Sequence, residues 1–291
     1  MAISAEMVKQ LRDQTGAGMM DCKSALTEAA GNFDEATTIL RKKGLASAAK
    51  KAGRSTNEGL IGHRVSADHG AGTLVEVNCE SDFVARTDDF KQLIEDVLTE
   101  IEKAGAAATQ AWLDNADGVV KKRVAQTIGK LGENMAVPRF VRYMGQGYVG
   151  QYIHMGGKIG VQVEFGGVTP EVAARPEFAT LAKEIAMQVA SASPVYVSRD
   201  GVPAEVLEKE KSIYRAQMEN SGKPANVIDK IVEGKLGAFY KQSPGGVLLE
   251  QEYIREAKQT VKDVIAAANK ALGSNVTVTR FARLKVGETT A

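Results

Sequence analysis

The apolar positions at the amino-terminal end of the chain recur at helical spacing, with two short breaks. Ser4 is a suitable N-cap for a first helix, and the glycine-containing segment at residues 15–18 ends that helix. A second helix follows from about Asp21. A third begins at Asn32, in a sequence that resembles a capping box, and ends at Gly44. Residues 45–57 have the pattern of a helical tail that fades into a basic linker. The pattern predicts a small three-helix module.

Two stretches in the middle of the chain repeat the same order of patterns. Residues 58–62 align with residues 146–150 at the start of a predicted strand, and residues 73–77 align with residues 160–165 in the next strand. An amphipathic helix follows each pair of strands. The apolar residues of these helices are Phe90, Leu93, Ile94, Val97, Leu98 and Ile101 in the first copy and Phe178, Leu181, Ile185 and Val189 in the second. We expect two copies of an αβ unit, each with a hairpin followed by a helix.

Further helices are predicted between the copies and after them. One helix is predicted at residues 119–131, and apolar stripes on both sides of residues 221–224 predict an antiparallel helical hairpin that projects from the body. A last helix at residues 261–272 precedes a terminal strand at residues 276–286. The fold class is therefore α+β. The expected units are an N-terminal module and linker (1–55), core repeat 1 (56–140), the first part of core repeat 2 (141–202), the helical hairpin (203–244), and a C-terminal helix with a strand that returns to the core (245–291).

The composition and charge narrow the function classes. Lys and Arg (37) nearly balance Asp and Glu (36), so no overall field attracts nucleic acid or an anionic membrane. No apolar run approaches the ~20 residues that span a bilayer, and the start lacks the pattern of a signal peptide. We expect a soluble, cytoplasmic protein that binds a protein partner or a small ligand, without a membrane or a specific nucleic acid.

No combination of residues predicts catalysis. The Gly-x-Gly-x-x-Gly pattern at residues 145–150 precedes a strand rather than a helix, which indicates a hairpin turn and not a dinucleotide site. The sequence contains no phosphate-binding Gly-x-x-x-x-Gly-Lys-Ser/Thr motif. His63, His69 and His154 lack the spacing of metal ligands, and neither cysteine has a recognisable base. We expect no enzyme activity, no cofactor and no bound metal.

Two segments are candidates for partner binding. Residues 78–85 (Asn-Cys-Glu-Ser-Asp-Phe-Val-Ala) connect a strand to a helix, where loops lie at the surface. Phe83 either folds back into the core or projects beside Asp82 as an apolar and charged pair. The second segment, residues 15–20, ends in two methionines that either fill the small module's core or form an adaptable interface. The pattern leaves both choices open.

Two sequences together resemble the signature stretches of the elongation factor Ts family: LRDQTGAGMMDCK at residues 11–23 and VEVNCESDFVA at residues 75–85. Residues 132–134 and 154–160 also match the patterns of this family. The resemblance covers essentially the whole chain. It implies a ubiquitin-associated-like N-terminal module, a duplicated αβ core with antiparallel sheets, a projecting antiparallel helical hairpin and a C-terminal helical module.

The resemblance implies a guanine-nucleotide exchange factor that binds elongation factor Tu in its GDP-bound and nucleotide-free states, with no direct nucleotide binding of its own. Asp82 and Phe83 would wedge between two helices of that partner, disturb its Mg²⁺ and phosphate site and promote GDP release. The N-terminal residues would contact its nucleotide domain, and the second core repeat would contact its third domain. The implied partner-binding residues are Leu11, Arg12, Met19, Met20, Ser81, Asp82, Phe83, Val84, Met135 and His154.

The chain departs from the family pattern at two places. Ser81 stands where the family commonly has Thr, and residues 251–256 lack an expected proline, so the resemblance does not predict the conformation of residues 250–259.

One alternative function is an enzyme that uses Cys79 with Glu80 or Asp82. The other is a non-catalytic protein or RNA-binding adaptor that uses the N-terminal module and the basic linker.

Overall fold

The computed structural model describes residues 3–145, 147–219 and 221–288 of the chain. They form a mixed α+β structure with helices at the amino-terminal end and small antiparallel sheets in the middle, as the sequence predicts. Gln146, at which the predicted second copy begins, lies outside the described residues. Among the described residues, no helix combines the length and the apolar character needed to cross a membrane.

The amino-terminal module consists of α1 (Ala5–Thr15), α2 (Met19–Glu28) and the first half of α3 (Phe33–Lys51). Ser4 caps α1 by accepting the N–H of Met7 at 3.2 Å, as predicted from its position. The small residues and leucines of the three helices share one core. Its buried members are Val8, Leu11, Cys22, Ala25, Leu26, Ala29 and Ala36.

Helix α3 does not end at Gly44, contrary to the prediction. It continues to Lys51 because Gly44 faces the helix α7 (Val119–Leu131) at a close crossing. A Cβ atom added at Gly129 of α7 would lie 3.1 Å from the Gly44 Cα. The absence of a side chain at Gly129 therefore lets α3 pack closely against α7 at this point.

The first sheet is antiparallel, with the strand order β1-β2-β3. Its strands are β1 (Glu58–Val65), β2 (Ala71–Cys79) and β3 (Met135–Met144), and its helices are α4 (Asp82–Ala85), α5 (Asp88–Ala104), α6 (Gln110–Asp114) and α7. Helices α5 and α7 cover one face of this sheet with apolar side chains. The sequence pattern did not predict β3, because Pro138, Arg139 and Arg142 interrupt its apolar alternation.

The second sheet has the strand order β4-β5-β8 and repeats this arrangement. Its strands are β4 (Tyr148–His154), β5 (Ile159–Gly166) and β8 (Thr277–Lys285), and its helices are α8 (Pro170–Ala173), α9 (Pro176–Ala192) and α12 (Val261–Leu272). Since β8 pairs with β5 and α12 packs on α9, the carboxy-terminal segment completes this sheet. The helix and the returning strand predicted for this segment are both present, and they belong to the second sheet rather than to a separate C-terminal helical module.

The duplication extends to buried ion pairs. On β2, Glu76 accepts a hydrogen bond from Arg139 Nε on β3 at 2.7 Å, and on β5, Glu164 accepts one from Arg280 Nε on β8 at 2.8 Å. Both carboxylates are almost completely buried, and each pair lies next to a β-bulge. The helix and strand that close each sheet are therefore part of the repeated unit.

The two sheets pack face to face through equivalent close contacts. A Cβ atom at Gly72 of β2 would lie 2.5 Å from Val149 Cγ1, and one at Gly160 of β5 would lie 2.5 Å from Ile61 Cγ2. Each glycine thus accommodates the branched side chain of the other copy. The result is four layers, in which helices cover the outer faces of two stacked sheets.

The predicted helical hairpin consists of α10 (Ala204–Ala216) and α11 (Ala225–Lys241). Helix α10 has no buried residue, and α11 buries only Val232 and Leu236. The segment that the resemblance left undefined forms a short two-stranded hairpin of β6 (Glu252–Tyr253) and β7 (Glu256–Thr260), which leads into α12.

Candidate partner-binding surface

Phe83 projects from the one-turn helix α4, which follows the buried end of β2. The Ser81 hydroxyl accepts the N–H of Val84 at 3.4 Å, and this bond caps the turn. Ala85 is buried and Val84 packs against the first core, so these two side chains fix the turn from below. The Phe83 side chain is 79% exposed. The structure thus resolves the choice between core and projection in favour of projection.

Asp82 places a charge beside this ring. Its Oδ2 atom accepts a hydrogen bond from Arg86 at 2.6 Å, and both side chains of the pair are largely exposed. An exposed pair of this kind contributes about 0–1 kcal/mol to stability. The carboxylate can therefore exchange Arg86 for a partner's cation at little cost.

The methionines of the amino-terminal module also face outward. Met19 and Met20, at the start of α2, are 50% and 76% exposed, and Arg12 on α1 is exposed as well. Leu11 is different, because it is fully buried at the centre of the three helices. The expectation that Leu11 touches a partner is corrected: this structure gives its side chain no open surface.

The carboxy-terminal end of α7 holds the two segments close together. Lys130 Nζ donates to Asp89 Oδ1 at 2.6 Å, and the same side chain lies against Gly16, where a Cβ atom would be 2.7 Å from Lys130 Cε. Gly16 has a φ of 67°, the left-handed conformation that glycine adopts freely. Three residues beyond Lys130, Glu133 contacts Ser81. The α1–α2 loop and α4 therefore meet the same end of one helix.

His154 lies at the end of β4, near the end of the first sheet at which β2 leads into α4. It is exposed, and its Nδ1 atom shares a hydrogen bond with the Tyr152 hydroxyl at 3.0 Å. The turn that follows is tied to β1 by Lys158, which donates to Glu58 Oε2 at 2.5 Å. Because Glu58 is the register partner of Cys79, this turn lies beside the segment that leads into α4.

Met135, which was expected to contact a partner, is buried, whereas Met155, an exposed residue next to His154, was not predicted. Met135 begins β3 opposite Cys79 and packs within the first core. The expected contact of Met135 with a partner is therefore corrected to a supporting position in the core. Met155, directly after His154, is exposed with a positive φ of 50°. An apolar side chain at a predicted hairpin turn was the available signal for it.

Ser81 is held by side chains that the sequence did not connect to it. Glu133 Oε1 accepts the Ser81 hydroxyl at 2.6 Å, and Glu133 Oε2 accepts the Ser81 N–H at 2.9 Å. Glu80 Oε1 in turn accepts the N–H of Asn134 at 2.6 Å. Each carboxylate thus binds the residue that follows the other, and we call this arrangement the carboxylate clamp. The match of residues 132–134 to the family pattern was the only sequence signal for it.

The geometry does not support a nucleophilic Cys79. Its side chain is buried, and burial raises the pKa of the thiol to about 12. The protonated Sγ donates to the carbonyl of Ser81 at 3.1 Å, which adds a third contact beneath α4. Within the described ranges, no group of three His, Cys, Asp or Glu side chains is placed to hold a metal ion.

The packed two-sheet core and the exposed apolar and charged side chains on its turns are typical of a protein-binding factor. Residues 80–288 match a family model described as "Elongation factor TS". The chain belongs to the elongation factor Ts family. This family comprises non-catalytic nucleotide exchange factors for elongation factor Tu.

Full-length relatives confirm the resemblance. The chain is 44% identical to an elongation factor Ts of Aquifex aeolicus over 297 residues, which cover 99% of each protein. It is 45% identical to one of Nitratiruptor sp. and 43% identical to one of Trichlorobacter lovleyi, with 99% of this chain and 94% of each relative covered. These alignments include the amino-terminal module, which precedes the residues that the family model matches.

Proposed function

We propose that this chain binds elongation factor Tu and promotes GDP release by disturbing the Mg²⁺ and phosphate site of that partner. The observation that carries the proposal is Phe83, a large apolar ring that stands almost free on a turn fixed from below. An aromatic ring in this position suits insertion between two structural elements of a partner. Asp82 beside it supplies a charge for polar contacts.

The energy available from this ring is that of one buried aromatic side chain. Burying a Phe side chain in a partner yields about 1.5–3 kcal/mol. Little of this is lost on ordering the turn, because Ala85 and the Ser81 cap already hold it. The same energy counts toward GDP release only as far as the ring fits the nucleotide-free conformation better than the GDP-bound one.

The proposed mechanism is a coupling between two ligands of elongation factor Tu. The factor binds both the GDP-bound and the nucleotide-free states, and in the complex each ligand weakens the other by the same factor. Loss of Mg²⁺ removes the charge that neutralises the phosphates, so GDP leaves. Entering GTP reverses the coupling and releases the factor. The chain itself binds no nucleotide and breaks no bond.

The other exposed side chains extend the proposed contact. Met19 and Met20 offer adaptable apolar surface beside Arg12, and His154 lies at the neighbouring edge of the core. Ser81 and Val84 contribute mainly by holding the turn. Leu11 and Met135 act from the interior, where they keep their modules packed.

The second copy of the core supplies a matched control for the test. Thr169 caps α8 as Ser81 caps α4, so Pro170 and Glu171 occupy the positions of Asp82 and Phe83. We expect the double variant Asp82→Ala, Phe83→Ala to slow stimulated GDP release about ten- to a hundredfold, the equivalent of 1.5–3 kcal/mol. The double variant Pro170→Ala, Glu171→Ala should leave the rate near that of the unaltered protein.

The measurement is release of fluorescent GDP from elongation factor Tu after mixing with the factor and excess unlabelled GDP. Thermal unfolding of both variants establishes that they are folded. Unaltered stimulation by the Asp82, Phe83 double variant would refute the wedge. If the unaltered protein left the intrinsic release rate unchanged at saturation, the exchange function itself would be wrong.

A further inference from the structure

We infer that Glu133 is a positioning residue that orients the Asp82–Phe83 turn through the carboxylate clamp. The inference rests on the proposed function, because the turn matters for exchange only if Phe83 enters the partner. Glu133 holds two polar hydrogens of one residue, the Ser81 N–H at 2.9 Å and the Ser81 O–H at 2.6 Å. Two contacts from one carboxylate fix an orientation, whereas a single contact leaves rotation free.

The clamp leaves Ser81 no polar group without a partner. The Ser81 hydroxyl donates to Glu133 while it accepts the N–H of Val84, and the Ser81 carbonyl accepts the Cys79 thiol. On the other side, Glu80 accepts the N–H of the buried Asn134. The backbone that enters α4 is therefore anchored two residues before Phe83.

Glu133 itself lies between two packed elements, the end of α7 and the start of β3. It follows Gly132, a left-handed residue with a φ of 81° that ends α7 by donating its N–H to Ile128 at 2.9 Å. Two residues later, Met135 enters the core as the first residue of β3. The carboxylate is thus held between a packed helix and a packed strand.

The second copy shows that the turn does not need the clamp in order to form. Gly273 ends α12 as Gly132 ends α7, so Ser274 occupies the position of Glu133. The Ser274 hydroxyl donates to Asn269 Oδ1 at 3.0 Å, and the Thr169 side chain caps its own turn and contacts Glu171 within it rather than Ser274. Helix α8 nevertheless forms and has four residues, as α4 does. The clamp accompanies the exposed Phe83 rather than the turn, which assigns it to positioning.

Loss of the clamp should lower exchange by widening the orientations of the turn. When only a fraction of molecules holds Phe83 ready, the apparent affinity falls by that fraction. We expect Glu133→Ala to reduce stimulated GDP release about five- to tenfold at low factor concentration. Glu133→Gln should stay within about threefold of the unaltered protein, because its amide can accept the Ser81 N–H and donate to the Ser81 hydroxyl.

The test compares these variants in two backgrounds by fluorescent GDP release from elongation factor Tu. If Glu133 acts through Phe83, Glu133→Ala should add no further loss once Phe83→Ala is present. Ser274→Ala, the equivalent change in the second copy, should leave the rate unchanged. Hydrogen exchange of the amides in residues 82–86 should become faster in Glu133→Ala, while that of residues 170–174 should not.

Three outcomes would overturn the inference. An equal loss in the Phe83→Ala background, or a Gln variant as defective as the Ala variant, would indicate a merely structural role. Unchanged hydrogen exchange at residues 82–86 would show that Glu133 does not order the turn. If Phe83→Ala alone had no effect on exchange, the proposed wedge would fail first, and the hydrogen-exchange result would still decide whether the clamp orders α4.

Discussion

The two copies of the core share their interior and differ in what their turns expose. Both turns begin with a capping hydroxyl, Ser81 in the first copy and Thr169 in the second. The turn of the first copy exposes Phe83 and is hydrogen-bonded to Glu133 through Ser81. In the second copy, Glu171 occupies the position of Phe83. Positions that the copies hold in common build the fold, and positions at which they differ provide the proposed partner contact.

Loss of a shared buried ion pair is expected to lower the free energy of unfolding most among these variants. Arg280→Ala should destabilise the fold by about 3–5 kcal/mol, because the almost completely buried Glu164 loses both hydrogen bonds that Arg280 donates to it. Arg139→Ala should cost less, since Glu76 keeps the N–H of Gly287 at 2.8 Å. Thermal unfolding of the two variants measures the difference.

A control for this pair of variants is the exposed pair of Arg175 and Glu177. Arg175→Ala removes a contact between two half-exposed side chains, so it should change stability by no more than about 1 kcal/mol. If Arg139→Ala proved more damaging than Arg280→Ala, the remaining bond to Gly287 would not compensate Glu76. The two pairs would then differ in a way that their geometry does not explain.

The second prediction concerns the contact between the sheets. Gly72→Ala and Gly160→Ala should each destabilise by about 1–3 kcal/mol, because each new Cβ meets a branched methyl group at 2.5 Å. The two costs should be similar, since Val149 and Ile61 occupy equivalent positions. Thermal unfolding provides the measurement, and Gly234→Ala on the exposed side of α11, with no atom within 4 Å, should not destabilise.

A second substitution that partly restores stability would test the same contact between the sheets. Shortening the opposing side chain, with Val149→Ala for Gly72→Ala and Ile61→Ala for Gly160→Ala, relieves the clash while it removes some buried apolar area. Each double variant should therefore lose less than the sum of its two single variants. Strict additivity in one copy only would mean that the sheets do not meet symmetrically.

The parts of the fold that the sequence predicted are those set by local pattern. The helix with Phe90, Leu93 and Val97 was predicted because its apolar period and its position after a hairpin agree. Strand β3 was missed because Arg139 belongs there only through its tertiary partner Glu76. Helix α3 continues past Gly44 because it packs against α7 there, and a single segment contains no sign of that neighbour.

The candidate surface was predictable to a smaller extent. Residue types placed Asp82, Phe83 and the two methionines in loops, but exposure depends on which side of a turn faces the core. Leu11 lies within a matching stretch and Met135 directly follows one, and both are buried, because a family pattern contains packing positions as well as surface positions. The match of residues 132–134 to the family pattern drew attention to Glu133 but gave it no partner, since its contact with Ser81 joins residues far apart in the chain.

The two capped turns should differ only slightly in how much their capping hydroxyls contribute to stability. Thr169→Ala should cost about 1 kcal/mol, the usual value of an N-cap hydroxyl. Ser81→Ala should cost about 0.5–1 kcal/mol more, because the Glu133 carboxylate also loses its 2.6 Å partner, although water reaches this partly exposed group. Denaturant unfolding in a double-mutant cycle isolates that excess as the coupling between Ser81 and Glu133.

The same cycle between Thr169 and Ser274 should give no coupling, since the Thr169 side chain caps its own turn and Ser274 binds Asn269. Equal couplings in the two copies would mean that the contact with Glu133 adds nothing specific to the first turn. A coupling confined to Ser81 and Glu133 would place the difference between the copies in a single carboxylate. The stability of that turn and the orientation of Phe83 would then have one common cause.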